Sequence, residues 1–190
     1  MTRALLIIDV QNDFTEGGAL GVTGGDAVAE GISRYLAAHP DRYGAVIASR
    51  DWHDAEGDNG GHFSPNPDFV ASWPVHCVAG TVGAEYDTGL DVSLVTVHVR
   101  KGQGKPDYSA FQGVTDRGSA LAATLINLGV TEVDLVGIAT DYCVLASALD
   151  AREHGFTVRV LSDLVAGVSA NSSTAALVRL RSAGVSVVAS

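Results

Sequence analysis

The chain has 190 residues, 22 of them acidic against 12 basic, and a formal net charge of −10 at pH 7. That balance argues against nucleic acid as a partner, since phosphate binding needs clustered Lys and Arg, and no run approaches the roughly 20 apolar residues of a membrane span. The length suits one domain over 1–190, the N-terminal run lacks a small-residue cleavage site, and two cysteines make no disulfide framework, so a cytoplasmic, reducing setting is expected.

Taken in chain order, strand-like and helix-like stretches alternate. Ala4–Ile8 is a short apolar run ending at Asp9, and Asp26–Ala38 has helical spacing with Asp26 as a plausible N-cap. Ala45–Ala48 reads as a second strand, followed by Ser49-Arg50-Asp51-Trp52-His53. From Asp51 to about Gly83 the pattern stops in a stretch rich in Gly, Asp, Asn and Pro, and loops of such length inside a domain are usually functional. Leu94–Val99 is a third strand running towards Lys101, Ser119–Leu128 a helix stopped by Gly129, and Val133–Ile138 a fourth strand. Asp141–His154 is expected to be helical, Phe156–Leu161 a strand, Ser172–Ala183 a helix and Val185–Ala189 a last strand. This alternation implies an α/β class: a doubly wound, mainly parallel sheet with helices on both faces.

In such a sheet all strand ends line one crevice. Asp9, Lys101, Cys143 and the Asp51-x-His53 pair are therefore delivered to one place. Cys143, expected in the first helical turn after a strand, would feel unpaired N–H groups that favour thiolate and can hold an oxyanion. Asp9, at the end of a buried strand, would have its pKa raised by desolvation, with a nearby Lys opposing this. Cys77, in a loop, is expected to be packing, and Lys105 a solvent lysine. Three of the six histidines, His53, His62 and His76, fall within 24 residues of the irregular loop. With Asp51 they suit one divalent ion, zinc, manganese or iron. Phe14 and Trp73 border the crevice and would wall a flat aromatic ligand.

The chain resembles the nicotinamidase/pyrazinamidase branch of the isochorismatase-like cysteine hydrolases over nearly all its length. The matching stretches are Leu6–Phe14, Arg50–His53, His62–Ser64, Trp73–Cys77, Lys101-Gly102 and Gly137–Val144. The resemblance implies a catalytic triad of Asp9, Lys101 and Cys143, and metal ligation by Asp51, His53, His62 and His76. It also implies an oxyanion hole from the N–H groups of Ala139 and Cys143, substrate contacts from Phe14, Trp73, Ala139 and Tyr108, and a cis Ile138–Ala139 peptide. The expected reaction turns nicotinamide, and also pyrazinamide, into the acid and ammonia through a cysteine thioester, in NAD salvage. The partner is then a small aromatic amide, and the protein a monomer or homo-oligomer. Two alternatives stand beside it: a related amidase of ureido or carbamoyl substrates, and a hydrolase whose metal-bound hydroxide does the work. Two departures are visible. The stretch Asp54–Gly61 is longer than in similar actinobacterial enzymes and adds Asp54, Glu56 and Asp58 as candidate oxygen ligands, and Tyr142 stands where relatives often carry His.

Overall fold

The computed structural model describes residues 2–190 and builds them around one seven-stranded sheet. The strands are β1 (Thr2–Ile8), β2 (Ala45–Asp51), β3 (Val97–Lys101), β4 (Val114–Thr115), β5 (Val130–Ile138), β6 (Thr157–Ala166) and β7 (Ser186–Val188). In space they run β4-β3-β2-β1-β5-β6-β7. Every pairing is parallel except β3 with β4. Four helices connect them: α1 (Gly25–Ala38), α2 (Leu121–Asn127), α3 (Leu145–Glu153) and α4 (Ala170–Ser182).

The period of two along β1 divides its side chains between two cores. Leu5 and Ile7 pack with α1 and the long loop, whereas Ala4, Leu6 and Ile8 pack with residues of α2, α3 and α4. Helices thus cover both faces, as expected. Leu5, Leu6, Ile7 and Ile8 are each 1% exposed or less, and burial of this kind stabilises by about 1.5–3 kcal/mol per side chain. The chain winds outward from β1 in one direction and from β5 in the other. The crevice at the C-terminal ends of these two adjacent strands is where a sheet of this kind takes its ligand.

Several boundaries differ from the sequence expectation, each for a physical reason. β3 does not begin at Leu94, which is 43% exposed within a turn closed by the Val95 N–H on the Val92 carbonyl. It runs instead to Lys101, because Arg100 and Lys101 pair with Arg50 and Asp51 of β2. Ladder bonds are indifferent to side-chain polarity, so hydropathy ended both strands too early. β4 is two residues long and pairs antiparallel at the sheet edge, too short to leave a pattern. Asp26 does not cap α1. The N-cap is Gly24, and the first turn is held from outside by Glu16, whose carboxylate accepts from the N–H groups of Gly24 (2.6 Å) and Asp26 (2.7 Å). The expected helix from Asp141 begins as a wide π-type turn, Thr140–Val144, and becomes α-helical only at Leu145. Such turns are frequent at functional sites. The Ile138–Ala139 peptide before it is cis.

Candidate active site

Four strand ends meet as the sequence implied. Asp51 and Lys101 are register partners at the ends of β2 and β3, and Asp9 follows β1 with a left-handed backbone (φ 47°). Cys143 comes from the π-type turn after β5. Lys101 is completely buried, and its ammonium is surrounded by acceptors. It pairs with Asp51 Oδ1, lies 2.9 Å from Asp9 Oδ2, and donates to Cys143 Sγ at 3.7 Å and to the Asp107 carbonyl at 3.5 Å. A buried ammonium needs such partners, since the dehydration of an unpaired charge costs several kcal/mol. The pairing of Lys101 with Asp51 as well as Asp9 was not foreseen from the sequence.

Two further residues fix this cluster. The Ser49 hydroxyl donates to Asp9 Oδ1 at 2.6 Å. Gln11 acts as a piece of strand backbone: its Oε1 accepts from the Asp51 N–H (2.8 Å) while its Nε2 donates to the Asp51 and Ala84 carbonyls (2.9 Å each). Both escaped sequence reasoning. The only signal was their position, Gln11 two residues past Asp9 and Ser49 two before Asp51.

Burial pushes the Asp9 carboxyl above its usual range, with the Lys101 ammonium opposing. Burial likewise pushes the Cys143 thiol well up, again against Lys101. The expected thiolate-favouring helix start is therefore corrected. Cys143 does lie in the first helical turn after β5, but dehydration dominates, so the resting group is a thiol. Burial would lower Lys101, but Asp51 and Asp9 more than offset it and hold the ammonium charged. Burial would raise Asp51, yet Lys101 and the neighbouring imidazoles hold it well below the carboxylate range.

Beside this cluster, ring nitrogens of His53, His62 and His76 converge to within 4.8 Å of one another. His53 Nδ1 sits 2.9 Å from the Gly102 carbonyl and His76 Nδ1 2.8 Å from the Pro74 carbonyl. A carbonyl only accepts, so both Nδ1 atoms carry a proton, and Nε2 is the nitrogen each ring can offer as a ligand. Those Nε2 atoms lie 3.7 and 3.9 Å from Asp51 Oδ2. Gly102 is required here: its φ is +84°, and a Cβ would fall 2.6 Å from His53 Cε1. His53 Nε2 and His62 Nδ1 are buried without any hydrogen-bond partner. Burial holds the His62 imidazole down to about 3 and lowers His76 as well. Imidazoles with orphaned nitrogens beside a carboxylate are a donor set that fits a divalent cation. Asp54, Glu56 and Asp58 do not join it. All three are exposed, on a loop organised by the buried Asn59 side chain, which bonds Asp54 backbone and the Gly104 N–H.

A cavity of about 370 Å³ opens onto both clusters. Asp51, His62, His76, Ala139 and Cys143 line it, as do the expected walls Phe14, Trp73 and Tyr108. Trp73 Nε1 donates to the Tyr108 hydroxyl at 2.9 Å. Tyr142 and Phe69 also line it, and neither was expected as a wall. Cys77 is fully buried, its N–H bound by Asp13 Oδ2 at 2.6 Å, and packs in the α1-side core; Lys105 is exposed.

Known proteins share this arrangement of strands along the whole chain. The chain is 51% identical over 188 residues to a nicotinamidase/pyrazinamidase of Mycobacterium tuberculosis, covering 99% of each. It superposes with a TM-score of 0.83 on a pyrazinamidase of Pyrococcus horikoshii crystallised with zinc, 37% identical, with 100% of both chains covered. A protein of L. infantum solved in complex with nicotinate gives the same TM-score at 36% identity, over 99% of this chain and 92% of that one. The family model described as the isochorismatase domain matches residues 3–190, and with a doubly wound sheet whose strand ends gather a carboxylate, an ammonium and a thiol, the chain belongs to the isochorismatase domain family.

Proposed function

We propose that this chain is an amidohydrolase converting nicotinamide to nicotinate and ammonia, and pyrazinamide likewise, through a thioester on Cys143. One observation above all carries the reading. Cys143 lines an aromatic-walled cavity, and behind it the buried Lys101 sits 2.9 Å from Asp9 Oδ2 and 3.7 Å from Cys143 Sγ. Likeness over full length to relatives named for this activity supports it.

The chemistry follows from the residues. The Asp9 carboxylate takes the Cys143 thiol proton while Sγ attacks the amide carbon. Both groups are raised by burial, so their proton affinities move together, and transfer between them costs less than transfer to an exposed carboxylate. The N–H groups of Ala139 and Cys143 take the developing oxyanion. Asp9 returns its proton to the leaving nitrogen, the C–N bond breaks, and ammonia departs from the thioester. Water then gives a proton to Asp9 and its oxygen to the acyl carbon, and the sulfur leaves and regains the proton. Lys101 stays charged throughout and compensates whichever neighbour is anionic.

Asp51, His53, His62 and His76 would hold one divalent ion, zinc, manganese or iron. When bound it supplies a Lewis-acid anchor for the ring nitrogen. Phe14, Trp73 and Tyr108 hold the ring between aromatic faces. No helix among the described residues is long and apolar enough to cross a membrane. The free thiols suit a reducing compartment, and the cytosol is the place we propose.

Ammonia release decides the reading. Nicotinamide should be turned over, benzamide poorly because it lacks the ring nitrogen, and a ureido acid not at all. A ureido acid turned over in preference to nicotinamide would replace this function. The cation set has its own test. In His76→Ala, zinc per chain should drop from about one towards none by metal analysis, while iodoacetamide still alkylates Cys143. His76 is the residue to change because Asp51 also holds Lys101. A thiol that turned inert along with metal loss would sink the separation of the two clusters.

A further inference from the structure

The cavity is graded from a dry end to a wet one. At the inner end Asp51, His76 and Cys143 are 3%, 3% and 7% exposed; at the outer end Phe69 and Val168 are 56% and 51% exposed. Tyr142, half-buried, stands between them. Its backbone belongs to the turn that carries Cys143. Its ring meets Trp73 edge-on, centroids 5.0 Å apart at 88°, and lies roughly parallel to Tyr108 at 5.9 Å. Its hydroxyl crosses the mouth to donate to the Phe69 carbonyl at 3.3 Å.

The far side of that bridge is a built turn. Asp68 Oδ1 accepts from the N–H groups of Val70, Ala71 and Ser72 at 3.0, 2.9 and 2.8 Å, and from the Ser72 hydroxyl at 3.0 Å. The Phe69 N–H closes on the Ser72 carbonyl at 3.1 Å, with Phe69 in a left-handed conformation (φ 57°). A side chain fixed at its backbone, its ring and its hydroxyl, against a fixed rim, does not swing aside when a wider ligand arrives. It is a wall of set position, and overfilling such a site is penalised.

We propose that Tyr142 is a specificity-determining residue that restricts the cavity to amides of a single six-membered ring. The inference rests on the amidase reading above. Quinoline-3-carboxamide is the matching probe. It keeps the pyridine nitrogen and the amide of nicotinamide and adds only a fused benzo ring on the far edge. The wild-type chain should prefer nicotinamide in kcat/KM by about a hundredfold or more, the discrimination a shaped apolar pocket reaches. Tyr142→Ala should raise the bicyclic-to-monocyclic ratio by at least about tenfold. Tyr142→Phe keeps the ring and loses the bond to Phe69, so it should keep the wild-type ratio while KM rises a few-fold for both amides.

A merely structural role would lower both amides in step and leave the ratio alone. Tyr142→Leu, which retains an apolar contact for Trp73, reports the same ratio should the alanine variant fail to fold. Folding is checked by circular dichroism and by the urea unfolding midpoint. An unchanged ratio in the alanine and leucine variants, equal use of the two amides by the wild-type chain, or a phenylalanine variant as permissive as alanine would each overturn the proposal. Wild-type failure to release ammonia from nicotinamide would instead overturn the amidase reading beneath it.

Discussion

Cys143→Ala is expected to lower ammonia release from nicotinamide by about 10⁶-fold in kcat, the scale on which enzymes lose rate with their nucleophile. No other group at the inner end of the cavity can replace it. Asp9 and Asp51 are both committed to Lys101, and a carboxylate so paired is a poor nucleophile. Nicotinamide should still bind, because Phe14, Trp73 and Tyr108 are untouched by the change. Cys77→Ala is the control. Its thiol is fully buried in the other core and offers only a weak 3.9 Å contact to the Gly83 carbonyl. That variant should lose some stability, about 0.5–3 kcal/mol, and keep its rate per folded molecule. Appreciable turnover in Cys143→Ala would leave an activated water as nucleophile and refute the thioester.

Lys101→Met is expected to be the most destabilising single change at the site, by about 3–5 kcal/mol. The side chain is wholly buried, and its ammonium is the cation shared by Asp9 and Asp51. Removing it leaves two buried carboxylates without the ammonium they share. The sign of the pH effect follows. Burial raises Asp9 and Lys101 opposes the rise, so loss of the ammonium raises Asp9 further. A base is lost as pH falls through its pKa, so the acid limb of kcat/KM should move to higher pH. Lys101→Arg should not rescue, since a planar guanidinium does not fit where a point charge meets two carboxylates. Urea unfolding and the pH profile of residual activity are the measurements. Wild-type stability in Lys101→Met would mean that the two carboxylates do not need the cation.

Much of this was legible in the residues. Asp9 and Cys143 follow apolar runs whose buried faces demand a parallel sheet, and three histidines in one irregular loop have few reasons to cluster. What the sequence concealed has a common cause. Register is a property of two strands, so the Asp51–Lys101 partnership, and with it the shared cation, is invisible until β2 and β3 are aligned. The same holds for Gln11, whose amide substitutes for backbone, and for Glu16, which caps a helix from eight residues before its N-cap Gly24. The thiol was misjudged because the dipole argument is local while dehydration depends on everything packed around it. Tyr142 was passed over as a wall because its neighbours, Phe69, Trp73 and Tyr108, are distant in the chain.

The order of the sheet governs how the molecule is made. β1 lies between β2 and β5, yet β5 begins only at Val130. The earliest-made strand of this sheet is thus among the last to be completed. Until residues 130–138 are synthesised, β1 has one neighbour and offers its other edge to any passing strand. Asp9 and Lys101 can meet early, but they cannot be fully shielded from water before the segment bearing Cys143 arrives. Assembly of the reaction centre and the covering of β1 are therefore a single late event in the life of the nascent chain. Pairing across such sequence distance is slow and keeps an unpaired edge exposed to aggregation in the meantime. A product truncated ahead of β5 would emerge with an apolar edge and no means of covering it.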